Sequence, residues 1–419
     1  SSLTSVIFES NSNLNLIDWD AFVNTAISSI TIPASVTFFS SNVFIGCTNL
    51  PTNGVQFESG SQWYPTASDV DCSDVVNGVV TIPSSLTRVL GFSFFKCASL
   101  TSVIMSGNNI LEIQDYAFYG SGLRSVTIPS SVTAIRYNAF EDSVSLSSVD
   151  FEGASNLKAL DNGAFRNVAI TEVQIPASVT FLNWRIFSDC NSLTSVRFDP
   201  DSQLKRIHGD VFALSGIDAI VIPASTTYIH SNTFGGLTNL KVYVEYGNTM
   251  SISSGSNVAF YGATSATVVT MSCNGGAVGL NGIFTIPWVA MEIPPDSFND
   301  CTSLTSLLQS ENSYLQKIGR DSFSDSGLKD VAISSRVLSI HLSAFSGLTG
   351  FNVFVETGNT LGIIEGHDLI FYGGTSADIC YSATHESMCA PTSQPSSQPS
   401  GQPSGQPTCP SGQPSGQPS

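Results

Sequence analysis

One phenylalanine position recurs with a fixed rhythm. Phe118, Phe140, Phe165, Phe187, Phe212 and Phe234 are spaced 22, 25, 22, 25 and 22 residues apart, and Phe298, Phe323 and Phe345 repeat the 25 and 22. Two units therefore alternate with a joint period of 47. A period in the twenties is the signature of a solenoid, in which each unit buries its apolar face only by stacking on its neighbours.

The stretch Leu123–Ser143, LRSVTIPSSVTAIRYNAFEDS, shows one unit in full. In Leu-x-x-Val-x-Ile the last three positions alternate with period two, which predicts a short strand with one buried face. Pro33, Pro83, Pro129, Pro176, Pro223 and Pro287 follow such triplets. A residue without a backbone N–H cannot continue a paired strand, so the ladder stops there. Ser-Val-Thr-x-Ile then predicts a second extended piece, and Tyr137-Asn138-Ala139-Phe140 a short helical turn, with Val132, Ile135 and Phe140 inward. The expected fold is a β-rich repeat solenoid with short strands, short helical turns and a C-terminal polyproline-II-like tail. About fifteen strands at ~4.8 Å spacing would make one continuous rod on the order of 70 Å long.

The pattern LTSVTIPSSVTxIxxxAFxxC resembles the BspA-like leucine-rich repeats of bacterial and protist surface proteins, over roughly residues 1 to 356. The resemblance implies a leucine-rich-repeat fold and an extracellular or cell-surface setting, with adhesion proposed for some members. It carries over no catalytic residue and no cofactor.

The repeats divide the chain as 1–57, 80–244 and 283–356, separated by irregular inserts at 58–79 and 245–282 and followed by a C-terminal cap at 357–390 and a tail at 391–419. The segments GNTMSISSGSNVAFYGATSA and GNTLGIIEGHDLIFYGGTSA echo each other. The chain opens at Ser1-Ser2-Leu3 inside a repeat, which suggests a processed or partial protein. With 42% hydrophobic and only 11% charged residues it can fill a long core. Its net charge of −18 disfavours nucleic acid and anionic membranes as partners. No run of eighteen apolar residues is present, so no membrane insertion is expected.

Nine cysteines lie too far apart for a zinc site, since no C-x-x-C pair occurs. Cys47, Cys97, Cys190 and Cys301 each stand three residues after an anchor Phe, a small buried position that suits a free thiol. Comparison of the inserts pairs Cys72 with Cys97 and Cys273 with Cys301, while Cys380 with Cys389 would close the last segment. Such bridges imply an oxidising compartment. Asp69, Asp71 and Asp74 form a weak calcium candidate that lacks the glycine and terminal Glu of an EF-hand loop. His208, His230 and His341 follow inward isoleucines and read as surface histidines. No nucleophile elbow, phosphate loop or dinucleotide fingerprint occurs, and an enzyme is not expected.

The outward strand positions, among them Thr31, Thr81, Thr127, Gln174, Arg197 and Val221, make a flat and nearly uncharged face suited to packing against protein. After Cys389 the composition changes to Gln-Pro-Ser-Gly repeats, with Pro391, Pro395, Pro399, Pro403 and Pro407 four apart. Such a tract samples polyproline II at about 3.1 Å per residue and resembles tails of secreted stramenopile algal proteins. By that analogy Pro395, Pro399, Ser400, Pro403, Ser404, Pro407, Pro414 and Ser415 are candidates for hydroxylation and O-glycosylation. No Asn begins an N-x-Ser/Thr sequon, so glycans are expected on the tail alone. Two functions follow. One is a cell-surface fibril subunit that self-associates head to tail, with Cys409 as its intermolecular disulfide candidate. The other is a monomeric adhesin or ligand-binding protein displayed on a Pro-rich stalk.

Overall fold

Leu-x-x-Val-x-Ile segments do form the strands of a parallel sheet, because each can bury its alternate residues only against the coil before and after it. A computed structural model describes residues 3–382 other than 10–11, 19–20, 40–42, 45–46, 48, 52–53, 60–69, 106–108, 154, 251, 253–254, 275, 280, 310–311 and 364–365, and it omits the side chains of 38–39, 255–259 and 366–369. Ser125–Ile128 and Ser148–Phe151 pair with Val126 opposite Val149, and Glu172–Ile175 and Ser195–Phe198 with Val173 opposite Val196. A second parallel sheet of seven two-residue strands runs from Arg88–Val89 to Tyr228–Ile229. Val132, Ile135 and Phe140 are fully buried between the two sheets.

The expected short helical turn is absent; the third side of each coil is a run of turns. Asn138 and Asp142 adopt positive φ (53° and 59°), as do Asn167, Arg185, Asp189 and Asp210 at equivalent sites. Left-handed residues four apart cannot belong to one right-handed helix. The amides pair with the next coil instead: Phe118 N–H donates to Ala139 O (2.7 Å), Phe140 to Ala164 O (2.8 Å) and Phe187 to Val211 O (2.9 Å). Among the described residues the only helix is the 3-10 turn Cys72–Asp74.

The expected single rod is also corrected: the solenoid is three stacks. Among the described residues Val55–Phe57 pairs only with Ile30–Ile32, and Ile283–Ile286 only with Ser306–Gln309. Three separate apolar interiors result. The first stack closes its open end on the flank of the second, where Phe44, stacked on Phe22 at 5.7 Å, meets the rings of Phe92 and Phe95 at 6.0 and 6.2 Å. Lys96 Nζ then donates to the carbonyl oxygens of Cys47 (2.7 Å) and Leu50 (3.3 Å).

The stretch 245–282, expected to be irregular, in fact ends the second stack in register. Ala263–Met271 continues the main sheet beside Leu240–Glu245, and Gly255–Phe260 folds back antiparallel on it. Gly366–Phe371 and Gly374–Ser382 repeat this hairpin at the end of the third stack, beside Asn352–Glu356. Gly262 and Gly373 both sit at φ 96°, and a Cβ at either would lie 3.0–3.2 Å from backbone of the preceding coil. Phe260 and Phe371 take the next place in the aromatic column, 5.6 Å from Phe234 and 5.2 Å from Phe345. An antiparallel strand at the edge replaces the parallel partner that another coil would need, so the stack stops.

Candidate binding surfaces

The cysteines mark the opposite ends of the stacks. Cys72–Cys97 and Cys273–Cys301 are disulfides, and each clamps a short lead-in segment onto the first full coil of its stack. Cys47 and Cys190 are buried thiols; burial pushes the Cys190 thiol up to about 12, and its Sγ donates to Phe165 O at 3.1 Å. Cys380 is disulfide-bonded, and its expected partner Cys389 lies outside the described residues, as do Asp69, Cys409 and the whole tail. Asp71 and Asp74 serve the lead-in turn: Asp71 Oδ1 accepts from Ser73 N–H (2.7 Å), and Asp74 Oδ2 accepts from Asp71 N–H (2.9 Å). Among the described residues no three His, Cys, Asp or Glu side chains converge on a metal position.

The outward face of the main sheet has two fates. Thr81, Ile104, Thr127 and Asp150 are exposed, whereas Arg197, Ala219 and Val221 are buried beneath the third stack. Arg197 lies over the Tyr314 ring at 3.7 Å and pairs with Glu172 at 2.9 Å, while Tyr314 Oη donates to the same carboxylate at 3.0 Å. Glu292 accepts from Asp201 N–H at 2.8 Å, and Lys317 pairs with Asp201 and Glu292. A face expected to pack on protein is thus partly covered by the chain's own later coils.

Carboxyls outnumber bases at this junction. Hydrogen bonding to Arg197 holds Glu172 below its ordinary value, but burial pushes Glu292 up, and burial pushes Glu245, whose carboxylate turns inward to accept from Ala224 N–H, up to about 8. Burial likewise raises Glu141, paired with Arg166, to about 8 and Asp115 to about 7. A carboxyl raised on folding binds its proton more tightly in the folded state, so its contribution is complete below the ordinary value and is lost as pH climbs through the raised one. The melting temperature should therefore fall between pH 5 and pH 8.5. The accompanying stability loss should be about 2 kcal/mol or more, since each tenfold change in proton affinity on folding is worth roughly 1.4 kcal/mol. A flat or rising profile over that window would contradict these assignments.

A different surface collects aromatic rings. On the second sheet the outward residues Phe181, Arg206 and Tyr228 are neighbours, since Phe181 pairs with Arg206 and Arg206 with Tyr228. Trp184, His208 and His230 continue from the same strands, with Trp184 4.7 Å from His230 and 6.0 Å from His208, and His208 6.3 Å from Tyr228. Phe181, Trp184 and Tyr228 are 41, 40 and 43% exposed, an unusual cost for three large rings on one flank. The indole lies directly over Gly209, where a Cβ would come within 2.2 Å of it.

Beside this row the turns of the same coils form an open cleft of 450 Å³, lined by Arg166, Arg185, Asp189, Asp210 and Asn232 among others. Arg185 pairs with Asp210 at 3.6 Å, Asn232 donates to Asp210, and Arg166 pairs with Asp189 at 2.9 Å. The histidine pair was visible in the sequence, but Phe181, Trp184 and Tyr228 were missed. The signal for Phe181 and Tyr228 was an aromatic where other coils carry Arg88, Glu112 or Ala159 before the inward residue, whereas Trp184 stands two residues beyond its inward leucine and gave no such signal. His341 lies in the third stack, where its Nδ1 accepts from Ser343 N–H.

A family model described as a BspA type leucine rich repeat region matches the chain in six copies, over residues 1–51, 77–194, 158–279 and 282–365. A leucine-rich repeat protein from Bacteroides ovatus is similar across 91% of this chain and 92% of its own, at 18% identity and a TM-score of 0.35. The pneumococcal vaccine antigen PcpA is similar across 70% and 74%, at 20% identity and a TM-score of 0.33. A leucine rich cell surface protein from Faecalibacterium prausnitzii is similar across 85% and 88%, at 20% identity and a TM-score of 0.29. No curated protein matches.

Proposed function

The chain belongs to the BspA-type leucine-rich repeat family, and from that premise we propose that it is a non-enzymatic extracellular protein that displays a binding surface, as an adhesin does. The observation that carries this reading is the group Phe181, Trp184 and Tyr228, left open to solvent on one flank of a solenoid whose anchor phenylalanines are packed inside. The two disulfides suit an oxidising, extracellular setting. Hairpins that close the second and third stacks favour display as a discrete unit over growth by adding coils. Antibodies against the repeats should label intact source cells or their medium; labelling that appears only after permeabilisation would overturn this reading.

The tail carries a second reading, a fibril subunit. Residues 391–419, extended, would reach on the order of 90 Å. They could run along a neighbouring subunit, with Cys409 as the cross-link and sugars on the modified Pro and Ser. Sedimentation separates the two readings. Native protein that runs as a monomer supports the adhesin, whereas filaments that are lost on deletion of residues 391–419 support the fibril.

A further inference from the structure

We propose that the flank built from Trp184, His208, Tyr228 and His230, together with the adjoining cleft at Arg185, Asp210 and Asn232, is a carbohydrate-binding site for neutral pyranose oligosaccharides. The inference rests on the display reading above and names the chemistry of its ligand. Three independent features point the same way.

The first is the indole. Trp184 is 40% exposed and packs its ring against Gly209, where a Cβ would come within 2.2 Å of the ring and 2.9 Å of His230 Nδ1. The glycine leaves room for the ring against the surface, and His230 at 4.7 Å and His208 at 6.0 Å border it. An aromatic face carries negative quadrupole density, which attracts the weakly positive C–H groups on one face of a pyranose ring. A row of rings rather than one ring suits a chain of sugars rather than a monosaccharide.

The second is the cleft. It is an open depression of 450 Å³, which suits a chain of sugars lying along the surface better than a buried small molecule. It opens at positions one or two residues beyond the aromatic row, with Arg185 after Trp184, Asp210 after His208 and Asn232 after His230. Asp210 accepts from Asn232 and pairs with Arg185 at 3.6 Å, so the amide and guanidinium are held in place while the arginine side chain stays half exposed. Planar donors and acceptors fixed beside an aromatic face are what vicinal hydroxyls require.

The third is charge. Arg166 and Arg185 face Asp189 and Asp210, so the cleft itself is balanced, and Arg206 on the neighbouring row adds one further cation. The chain as a whole carries −18, which further disfavours acidic glycans. His208 is held below its ordinary value by burial first and by Arg206 and His230 next, which keeps its imidazole neutral near pH 7. A neutral sugar is the ligand left by this balance.

The test is titration of the full chain with neutral hexose oligosaccharides of two to six units, read by calorimetry and by quenching of tryptophan fluorescence, with oligogalacturonate as the acidic comparison. Neutral oligosaccharides should bind and the acidic series should bind at least about tenfold more weakly. Trp184→Ala should reduce affinity at least about thirtyfold, the scale of a lost aromatic hot spot. Gly209→Ala keeps every functional group but displaces the indole, and should reduce affinity nearly as far; Ile104→Ala, on the other exposed sheet, should leave binding unchanged. Unaltered melting curves would show that the variants fold. No binding by any neutral oligosaccharide, or binding unchanged by both Trp184→Ala and Gly209→Ala, would overturn the site. Adhesion of the full chain to a cell or protein with no binding of any neutral oligosaccharide would overturn this site while leaving the display reading intact.

Discussion

Phe165→Ala should lower the unfolding free energy by about 3–5 kcal/mol, the cost of an unfilled cavity left by a buried ring. Phe165 is fully buried and stacked face to face between Phe140 at 5.0 Å and Phe187 at 5.9 Å, with interplanar angles of 6° and 8°. Its amide also donates to Ile186 O at 3.1 Å, so the ring and the backbone are held by the same neighbouring coil. In a solenoid, stability is close to a sum of coil and nearest-neighbour interface energies, and this one substitution weakens two interfaces. Among the described residues Phe94 makes a single such stack, on Phe118 at 5.1 Å, and Phe94→Ala should cost less. Denaturant unfolding of both variants measures the difference. A loss below about 1 kcal/mol for Phe165→Ala would mean that the column is not what holds the coils together.

Cys301→Ser should destabilise the third stack by about 3–4 kcal/mol. The disulfide to Cys273 closes a chain separation of 28 residues, and loop-closure entropy of that length is worth about this much in the unfolded state. The same bond holds the lead-in segment around Cys273 against the first coil, so its loss should expose that segment to proteases before the rest of the stack. Cys97→Ser should act alike on the second stack, whose bridge spans 25 residues. Peptide mapping without reductant should recover Cys72 linked to Cys97 and Cys273 linked to Cys301, with Cys190 as an unmodified thiol. Equal melting with and without reductant would contradict a structural role for both bonds.

These two effects differ in how they could be read beforehand. The anchor column and the strands are written at a fixed period, and each inward residue meets its equivalent one coil away; spacing alone therefore identifies the contact. Cys97 and Cys301 occupy the same column, and a Cys lies 25 or 28 residues before each, so their partners were also local. The third side of the coil was misread because Ala139-Phe140 looks helical by composition. Whether an amide bonds within its own turn or to the next coil is set by the left-handed residues flanking it, Asn138 and Asp142 here.

What the sequence by itself determined was the contacts between equivalent inward residues of adjacent coils, because the repeat converts those spatial neighbours into a fixed separation along the chain. Tertiary structure alone decided where coils stop and what then meets what. Ala263–Met271 carries strand alternation, yet only the fold-back of Gly255–Phe260 turns it into an end. Arg197 and Val221 belong by sequence to the flat outer face, but they lie under Tyr314 and its neighbours, more than ninety residues later and outside any period. Trp184 joins His208 and His230 although it stands two residues beyond its inward leucine and they stand one beyond their isoleucines. The column rule would have separated them. The length of the indole and the bare backbone at Gly209 bring them together, and those are properties of packed side chains in three dimensions.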